Sequence, residues 1–181
     1  FNHSLGVMHL SGRAFDVCFR DKPFVTREAK RNFRHCLRLA ALCHDLGHAP
    51  FSHAAEFAMP TLRALGIRCY DPGKVAHRLD QRASHEDYTI AILTQSSLAD
   101  TIRTSFGFLP EHVAQLVSHE VLVDDDFFLH DGFDLRYILA QLISSDMDAD
   151  RLDYLVRDSY FTGASYGQTD VDWLVSNMAR H

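Results

Sequence analysis

The sequence predicts an all-α protein on two observations, and its composition adds that the chain is globular. Apolar residues recur at helical spacing through most of the chain, as they do at Phe33, Leu37, Ala40 and Ala41. Alternation of apolar and polar residues over the length of a strand is hard to find anywhere. The 181 residues are 46% hydrophobic and 23% charged, which suits a globular domain with a sizeable core. We therefore expect one helical domain over residues 1–181, and its start at Phe1 rather than Met indicates part of a longer chain.

Three helices are predicted in the first third of the chain. The first covers about residues 3–18, and its apolar positions are Leu5, Met8, Phe15 and Cys18. The second covers about residues 26–47. The third begins near Ser52 and continues to Pro60, because proline lacks the backbone N–H that a helix interior needs.

The rest of the chain is predicted as shorter helices joined by loops. Residues 66–83 are expected to form a loop. Ser84-His85-Glu86-Asp87 resembles a capping box, which would begin a helix that carries Ile90, Ala91, Ile92 and Leu93. Pro110, at a first helical position, begins the next helix. Further helices are expected from Leu135 onward, over about 148–160 and over about 169–178.

Residues 121–134 are predicted to form an exposed loop. They contain a glycine and three consecutive carboxylates, Asp124, Asp125 and Asp126. A calcium site is the alternative for such a segment. The alternating D-x-D-x-D-G spacing of calcium loops is not present, so the loop prediction is preferred.

The charge balance argues against a nucleic-acid partner. The formal net charge is −6 and the isoelectric point is near 6.0, so the chain lacks the basic footprint that phosphate-backbone binding requires. A local basic set is interpreted as the solvated face of a helix, and it consists of Arg20, Lys22, Arg27, Lys30, Arg31, Arg34 and Arg38.

The cysteines and the hydropathy indicate a reducing compartment and no membrane partner. The four cysteines form no C-x-x-C pair and no signal peptide precedes them, which favours reduced thiols in a cytoplasmic protein. No apolar stretch approaches the roughly 20 residues of a membrane span.

The most informative segment is Leu42-Cys43-His44-Asp45-Leu46-Gly47-His48-Ala49-Pro50-Phe51-Ser52-His53. It places polar groups at the end of an apolar helix, where an unpaired buried charge would be costly. A cation or a hydrogen-bond network is therefore expected beside His44 and Asp45. His44 and His48, four residues apart, would share a helix face.

Two other segments offer groups that could join such a site. His3 lies at the start of the first predicted helix, and an acidic run extends over residues 146–154. Asp146, Asp150 and Asp153 are spaced four and three residues apart, which predicts one helical face. Imidazole and carboxylate ligands together suit Mn, Fe, Zn, Co or Mg with open positions for water.

The order and spacing of these groups resemble the HD-domain phosphohydrolase superfamily, and within it the deoxynucleoside triphosphate triphosphohydrolases, particularly the bacterial ones. Residues 1–7 are similar to the family's opening R-F-x-H-S-L-G-V, whose arginine would precede Phe1. Residues 44–53 resemble the core H-D-x-G-H-x-P-[FY]-S-H, and His85-Glu86 resembles the later H-E pair. Residues 148–158 match D-x-D-[RK]-x-D-Y-x-x-R-D, and residues 160–167 continue the likeness.

The resemblance implies a helical bundle around a metal site. The divalent ion would be held by His3, His44, Asp45 and Asp150. Asp148 is not implied as a ligand, because a carboxylate at a helix N-terminus is already favoured by the helix dipole.

The resemblance also assigns catalytic and substrate-binding roles. The catalytic residues would be His48, His85 and Glu86, and the substrate contacts would be His53, Arg151, Tyr154 and Asp158. A planar guanidinium at Arg151 suits phosphate oxygens. The Asp158 carboxylate would accept a hydrogen bond from the 3′-hydroxyl, and the Tyr154 ring would crowd the 2′ carbon so that ribose is disfavoured.

The implied reaction is metal-dependent hydrolysis of a deoxynucleoside triphosphate at the α-phosphorus. Its products are the deoxynucleoside and inorganic triphosphate, and Mg²⁺ accompanies the substrate triphosphate. The family likeness further implies a homo-oligomer. Metal identity, base preference, activation by a second nucleotide and the particular oligomeric state stay open at this point.

Other functions remain as alternatives. The superfamily also includes phosphodiesterases, stringent-response nucleotide hydrolases and 5′-nucleotidases, and Tyr154 with Asp158 is what favours deoxynucleotides. A domain of another class would be a catalytically weak nucleotide sensor or a single-stranded nucleic-acid binder. The ligand set argues against the sensor, and the acidic balance argues against the nucleic-acid binder.

Overall fold

The computed structural model describes residues 1–21, 24–124, 126–167 and 169–178. These residues fold mainly into α-helices with short 3₁₀ segments and one small hairpin, which confirms the all-α prediction. They form two compact units, Phe1–Leu42 together with the described residues from Phe128 onward, and Cys43–Phe127. No helix in the described part of the chain is long and apolar enough to cross a membrane.

The first unit is built on two long helices, α1 (Asn2–Cys18) and α9 (Ala149–Thr162), which pack against each other. The helix α10 (Val171–Ser176) also packs on α1. The unit further contains α2 (Arg27–Cys43), whose last residue belongs to the second unit. It also contains the strands β1 (Leu129–His130) and β2 (Phe133–Asp134) and the helix α8 (Arg136–Gln141).

Aromatic rings form much of the core of the first unit. Phe15 of α1 and Phe19, the C-cap residue of α1, are both buried and have ring centroids 4.7 Å apart. Phe24 lies 5.6 Å from the Phe19 ring and 5.9 Å from the Phe33 ring of α2. Edge and tilted contacts of this kind add to the burial of apolar area, so they hold the start of α2 against α1.

The second unit is centred on α5 (His85–Gln95). Around α5 lie α3 (Leu62–Leu65), α6 (Ser97–Ser105) and α7 (Pro110–Val117). The unit also contains α4 (Pro72–Val75) and 3₁₀ helices over Ser52–Ala58 and Ala76–Arg78. Its most deeply buried apolar side chains are Ile90, Leu93, Ile102, Val113 and Val121.

A buried ionic network begins α5. Ser84 and Asp87 form the predicted capping box, in which the Ser84 N–H donates to Asp87 Oδ2 at 2.8 Å and the Asp87 N–H donates to Ser84 Oγ at 3.3 Å. The Asp87 carboxylate also accepts from the Tyr70 hydroxyl at 2.6 Å and from Arg78 at 2.8 and 2.9 Å. Arg78 forms a second ion pair with Glu120. These bonds satisfy a carboxylate that is only 1% exposed.

The structure corrects several predicted element boundaries. Helix α2 ends at Cys43 instead of continuing to Gly47, because the following residues form tight turns in which the Leu46 N–H donates to the Cys43 carbonyl at 3.0 Å. The predicted third helix is a 3₁₀ helix, and the loop predicted over 66–83 contains α4 and a 3₁₀ turn. Helices α3 and α6 were not predicted.

The predicted exposed loop over 121–134 is partly wrong. Val121, Phe128 and His130 are buried, and β1 pairs with β2 across a two-residue turn. The turn residues Asp131 and Gly132 both have positive φ, at 53° and 76°, which is the backbone that an Asp-Gly hairpin turn requires. Asp125, one of the three consecutive carboxylates, and Lys22 of the basic set lie outside the described residues.

Candidate active site

The turn after α2 carries the His-Asp pair and lies against α5. The Thr89 hydroxyl of α5 donates to the His44 carbonyl at 2.9 Å and accepts from the Gly47 N–H at 2.9 Å. A Cβ atom at Gly47 would lie 1.9 Å from the His85 carbonyl oxygen and 2.5 Å from the Thr89 nitrogen. Only glycine allows this backbone approach, so the turn is held at van der Waals distance from the first turns of α5.

The geometry of the His-Asp pair suits a metal ion. His44 Nε2 lies 3.3 Å from Asp45 Oδ1, and His48 Nε2 lies 3.5 Å from the same oxygen. Two donor atoms bound at about 2.1 Å to one ion are about 3.0 Å apart when the bonds meet at right angles. His44 and Asp45 therefore fit two adjacent positions on a divalent ion.

Three imidazoles and a carboxylate gather beside this pair, and we call them the imidazole cluster: His48, His53, His85 and Glu56. The His48 and His85 rings stack at 3.9 Å, and the His53 ring meets them edge-on at 4.8 and 5.0 Å. Glu56 Oε1 lies 2.7 Å from His85 Nδ1 and 3.0 Å from His53 Nδ1. The cluster could also hold a metal ion, because one donor atom from each member lies within 4.8 Å of the others.

The charges within the cluster shift two pKa values. Hydrogen bonding to His85, and more weakly to His53, holds the pKa of Glu56 below its usual value, so this carboxylate is ionised. Burial lowers the pKa of His48, and the neighbouring His85 and His53 lower it further, although Asp45 opposes this effect. The cluster is thus a set of hydrogen-bonding imidazoles around one fixed negative charge.

The structure joins the predicted His48, His53 and His85 but not Glu86. Glu86 is exposed, and its Oε2 lies 3.5 Å from Ser84 Oγ. Glu56, which was not predicted as a site residue, occupies the carboxylate position of the cluster. The signal that could have found it is the spacing His53-x-x-Glu56, which puts both side chains on one face of a helical turn.

The first unit has an imidazole–carboxylate group of its own. His3, in the first turn of α1, has Nε2 at 2.9 Å from Asp150 Oδ1 and Nδ1 at 2.8 Å from Asp153 Oδ2. Hydrogen bonding to Asp150 raises the pKa of His3 against the opposing effect of burial, and Asp153 raises it further. The 2.9 Å separation between His3 and Asp150 also fits two ligands of one ion.

Helix α9 positions the other predicted side chains of the first unit. Asp148 is the N-cap of α9 and accepts from the Arg151 N–H at 2.6 Å, as expected for a helix-terminal carboxylate. Arg151, Tyr154 and Asp158 are all exposed, and Tyr154 and Asp158 lie one turn apart. Asp146 precedes the helix, so the predicted face shared with Asp150 is wrong for this residue.

The fold and these groups define the class of protein. Residues 1–157 match the family model described as the HD domain, and the chain belongs to this family, whose activity is that of phosphohydrolases. The family expected from the sequence is thereby confirmed.

Named relatives support the same assignment. The chain is 35% identical to the Bacillus subtilis protein YwfO over 98% of this chain and 32% of the relative. It is 31% identical to the Dictyostelium discoideum deoxynucleoside triphosphate triphosphohydrolase SAMHD1 homolog over 91% of this chain and 27% of the relative. A crystal structure of a phosphohydrolase from Bacteroides thetaiotaomicron has the same fold, with a TM-score of 0.65 at 24% identity over 99% of this chain and 34% of that one. The chain thus spans about a third of the length of the curated relatives it matches.

Proposed function

We propose that this chain is the HD domain of a metal-dependent deoxynucleoside triphosphate triphosphohydrolase. The observation that carries the proposal is the imidazole cluster, in which His48, His53 and His85 converge within 5.0 Å beside the His-Asp pair. Several nitrogen donors at one place suit a polyphosphate, which presents many acceptor oxygens. The name of the SAMHD1 homolog supports the choice of substrate.

One divalent ion is proposed to bind His3, His44, Asp45 and Asp150. Imidazole and carboxylate ligands suit Mn, Fe, Zn, Co or Mg. Such an ion lowers the pKa of water toward neutrality and neutralises phosphate charge. A further Mg²⁺ would enter with the triphosphate.

The protein's own side chains then bind and orient the triphosphate. His48 donates a hydrogen bond to a phosphate oxygen. His53 and His85, whose Nδ1 atoms face Glu56, donate through Nε2 in their protonated form, and one of them gives its proton to the leaving 5′-oxygen. Glu56 holds the ring planes of His53 and His85 through their Nδ1 atoms. Arg151, exposed at the start of α9, offers a guanidinium to the same phosphates. Catalytic participation of Glu86 stays a prediction.

Selection for deoxyribose is proposed to come from α9. Asp158 accepts from the 3′-hydroxyl, and Tyr154 excludes a 2′-hydroxyl by its bulk. A site that pairs with a hydroxyl discriminates strongly against analogues that lack it, whereas exclusion of an added hydroxyl is usually weaker. Assembly into a homo-oligomer and a cytoplasmic location remain predictions from the sequence.

The test is product analysis with the full-length protein. Each dNTP and GTP is incubated with Mn²⁺ or Mg²⁺, and the products are separated by anion-exchange chromatography. We expect equal amounts of deoxynucleoside and inorganic triphosphate, and faster turnover of dGTP than of GTP. If dNDP or dNMP appears first, or if GTP and dGTP react equally, the chain is a broader nucleotide phosphohydrolase.

Two variants and a control connect this activity to the site. His85→Ala should lower turnover by about 100-fold or more while the metal content is kept, because the residue is proposed to act on the substrate. Tyr154→Ala should narrow the difference between dGTP and GTP. His77→Ala, which removes an exposed imidazole of the second unit, should leave activity unchanged.

A further inference from the structure

The orientation of His3 is fixed by a carboxylate outside the proposed ligand set. Asp150 and Asp153 are three residues apart on α9 and face the same imidazole. Asp150 Oδ1 lies 2.9 Å from His3 Nε2, and Asp153 Oδ2 lies 2.8 Å from His3 Nδ1. The ring is therefore held between two carboxylates.

Arg157 holds the Asp153 carboxylate in turn. Its Nε donates to Asp153 Oδ2 at 2.8 Å and its Nη2 donates to Oδ1 at 2.9 Å, so both carboxylate oxygens are engaged in the two-pronged geometry that arginine favours. The same Nη2 donates to the Asn2 carbonyl at 3.1 Å. The Asp153 side chain is only 10% exposed, which limits competition by water.

Gly6 provides the space for this arrangement. It lies one turn after His3 on α1, and a Cβ atom there would be 1.8 Å from Asp153 Oδ1 and 2.9 Å from Arg157 Nη2. Any side chain at this position would displace the carboxylate from His3. The absence of a side chain at Gly6 thus allows Asp153 of α9 to lie against the backbone of α1.

We propose that Asp153 and Arg157 are positioning residues for the metal site, an inference that rests on the proposed role of His3 as a ligand. A neutral imidazole carries one N–H, and the nitrogen that binds a metal must be the one without it. Asp153 takes the Nδ1–H of His3 and leaves the Nε2 lone pair directed toward Asp150 and the ion. Arg157 holds the Asp153 carboxylate in place through its two hydrogen bonds.

The expected effect is on metal affinity. Carboxylates that orient metal-binding imidazoles typically contribute about 10- to 100-fold in affinity or activity. Asp153→Asn keeps the size of the side chain and removes its charge, so we expect metal binding to weaken by about this factor. Arg157→Lys keeps the charge but loses the two-pronged contact, and a smaller loss is expected.

The experiment measures metal dissociation constants of the full-length protein by competition with a coloured chelator. Asp172→Asn is the matched control, because it breaks an exposed ion pair of α1 with α10, between Arg13 and Asp172, without touching His3. ¹⁵N shifts of His3 in the zinc-loaded protein give a second readout, since they report which ring nitrogen carries the proton. In wild type the shifts should show a proton on His3 Nδ1. In Asp153→Asn they should show a smaller population of this tautomer.

The outcomes separate the inference from the proposed function. If His3→Ala loses the metal while Asp153→Asn and Arg157→Lys bind it as tightly as wild type, the positioning role is wrong and the proposed function stands. If His3→Ala binds metal like wild type, the ligand set and the function proposed from it are wrong. If Asp153→Asn does not fold, wild-type affinity in Arg157→Lys overturns the inference by itself.

Discussion

Glu56 links the imidazoles of the candidate site. Its carboxylate accepts from both His53 and His85, at 3.0 and 2.7 Å. Glu56→Gln should therefore lower dNTP turnover by about 10- to 100-fold, the range found when imidazole-orienting carboxylates are replaced. Metal content should not change, because Glu56 is not a proposed ligand.

Glu86→Gln is the matched comparison for this prediction. Glu86 is exposed and lies outside the imidazole cluster, so its replacement should cost less activity than replacement of Glu56. Steady-state kcat and KM for dGTP, with metal analysis of each variant, provide the measurement. If Glu86→Gln loses more activity than Glu56→Gln, the catalytic carboxylate is Glu86, as predicted from the sequence, and not Glu56.

The resemblance of the sequence to its family groups His44, Asp45, His48, His53 and His85 in one predicted site, but it does not give the hydrogen-bond partner of His85. Which carboxylate contacts His85 depends on the fold. Glu86 is the neighbour of His85 in sequence, but its hydrogen-bond partner is Glu56, 29 residues away. Asp153 and His3 are 150 residues apart, so their contact could not be predicted from the sequence either.

At the scale of the elements, the start of α5 depends on Asp87. This buried carboxylate caps the helix and pairs with Arg78, and loss of one partner of a buried pair typically costs several kcal/mol. Asp87→Ala should lower the free energy of unfolding by on the order of 3 kcal/mol at pH 7. Asp80→Ala, which removes the exposed partner of Arg63, is the control and should be nearly neutral.

The effect of Asp87 should depend on pH. Burial opposes its ionisation, but hydrogen bonds from Arg78, Tyr70 and Ser84 outweigh burial and hold the pKa below the usual 3.8. Because the folded-state pKa is depressed, the stabilisation is present above pH 3.8 and is lost as the pH falls through the folded value. Urea unfolding of wild type and variant should show a constant difference near neutrality that shrinks in acid. A difference that grows below pH 3.8 would contradict this account.

The long helices were predictable, whereas their ends and the shortest elements were not. Helices α1 and α9 follow the helical apolar period of the sequence over three or more turns. Helix α2 is followed by a tight turn that is held by hydrogen bonds to Thr89 of α5, and such tertiary contacts are not visible in the sequence. Helix α6 buries only Ala99 and Ile102, too few apolar positions to define a period. The hairpin had an Asp-Gly signal, but its strands of two residues are too short for alternation to be visible.

At the scale of the whole molecule, metal binding should raise thermal stability. A ligand present at about 100 times its dissociation constant stabilises the folded state by about 2.7 kcal/mol. For a chain of this length that corresponds to an increase in Tm on the order of 5–10 °C. Thermal unfolding with and without a strong chelator measures the difference, and Asp150→Ala should show no response to the chelator. An identical Tm for wild type in both conditions would argue against a tightly held ion.

The net charge of the chain also bears on binding of the proposed triphosphate substrate. With a formal charge of −6, the long-range field repels a triphosphate, and attraction has to come from cationic groups close to the binding site. The proposed metal ion and Arg151, as a proposed phosphate contact, would be groups of this kind. Mg²⁺ on the triphosphate reduces the repulsion further.

The close approach at Gly47 limits how the site can be redesigned. The distance from the His-Asp turn to α5 is set by contact between main chains, with the His85 carbonyl against Gly47, and not by interchangeable side chains. An engineer who wishes to fit a larger or smaller ion therefore cannot move the turn. The rotamers of His44 and Asp45 can still adjust. Metal preference in this scaffold is more readily changed by exchanging ligand types than by reshaping the loop that carries them.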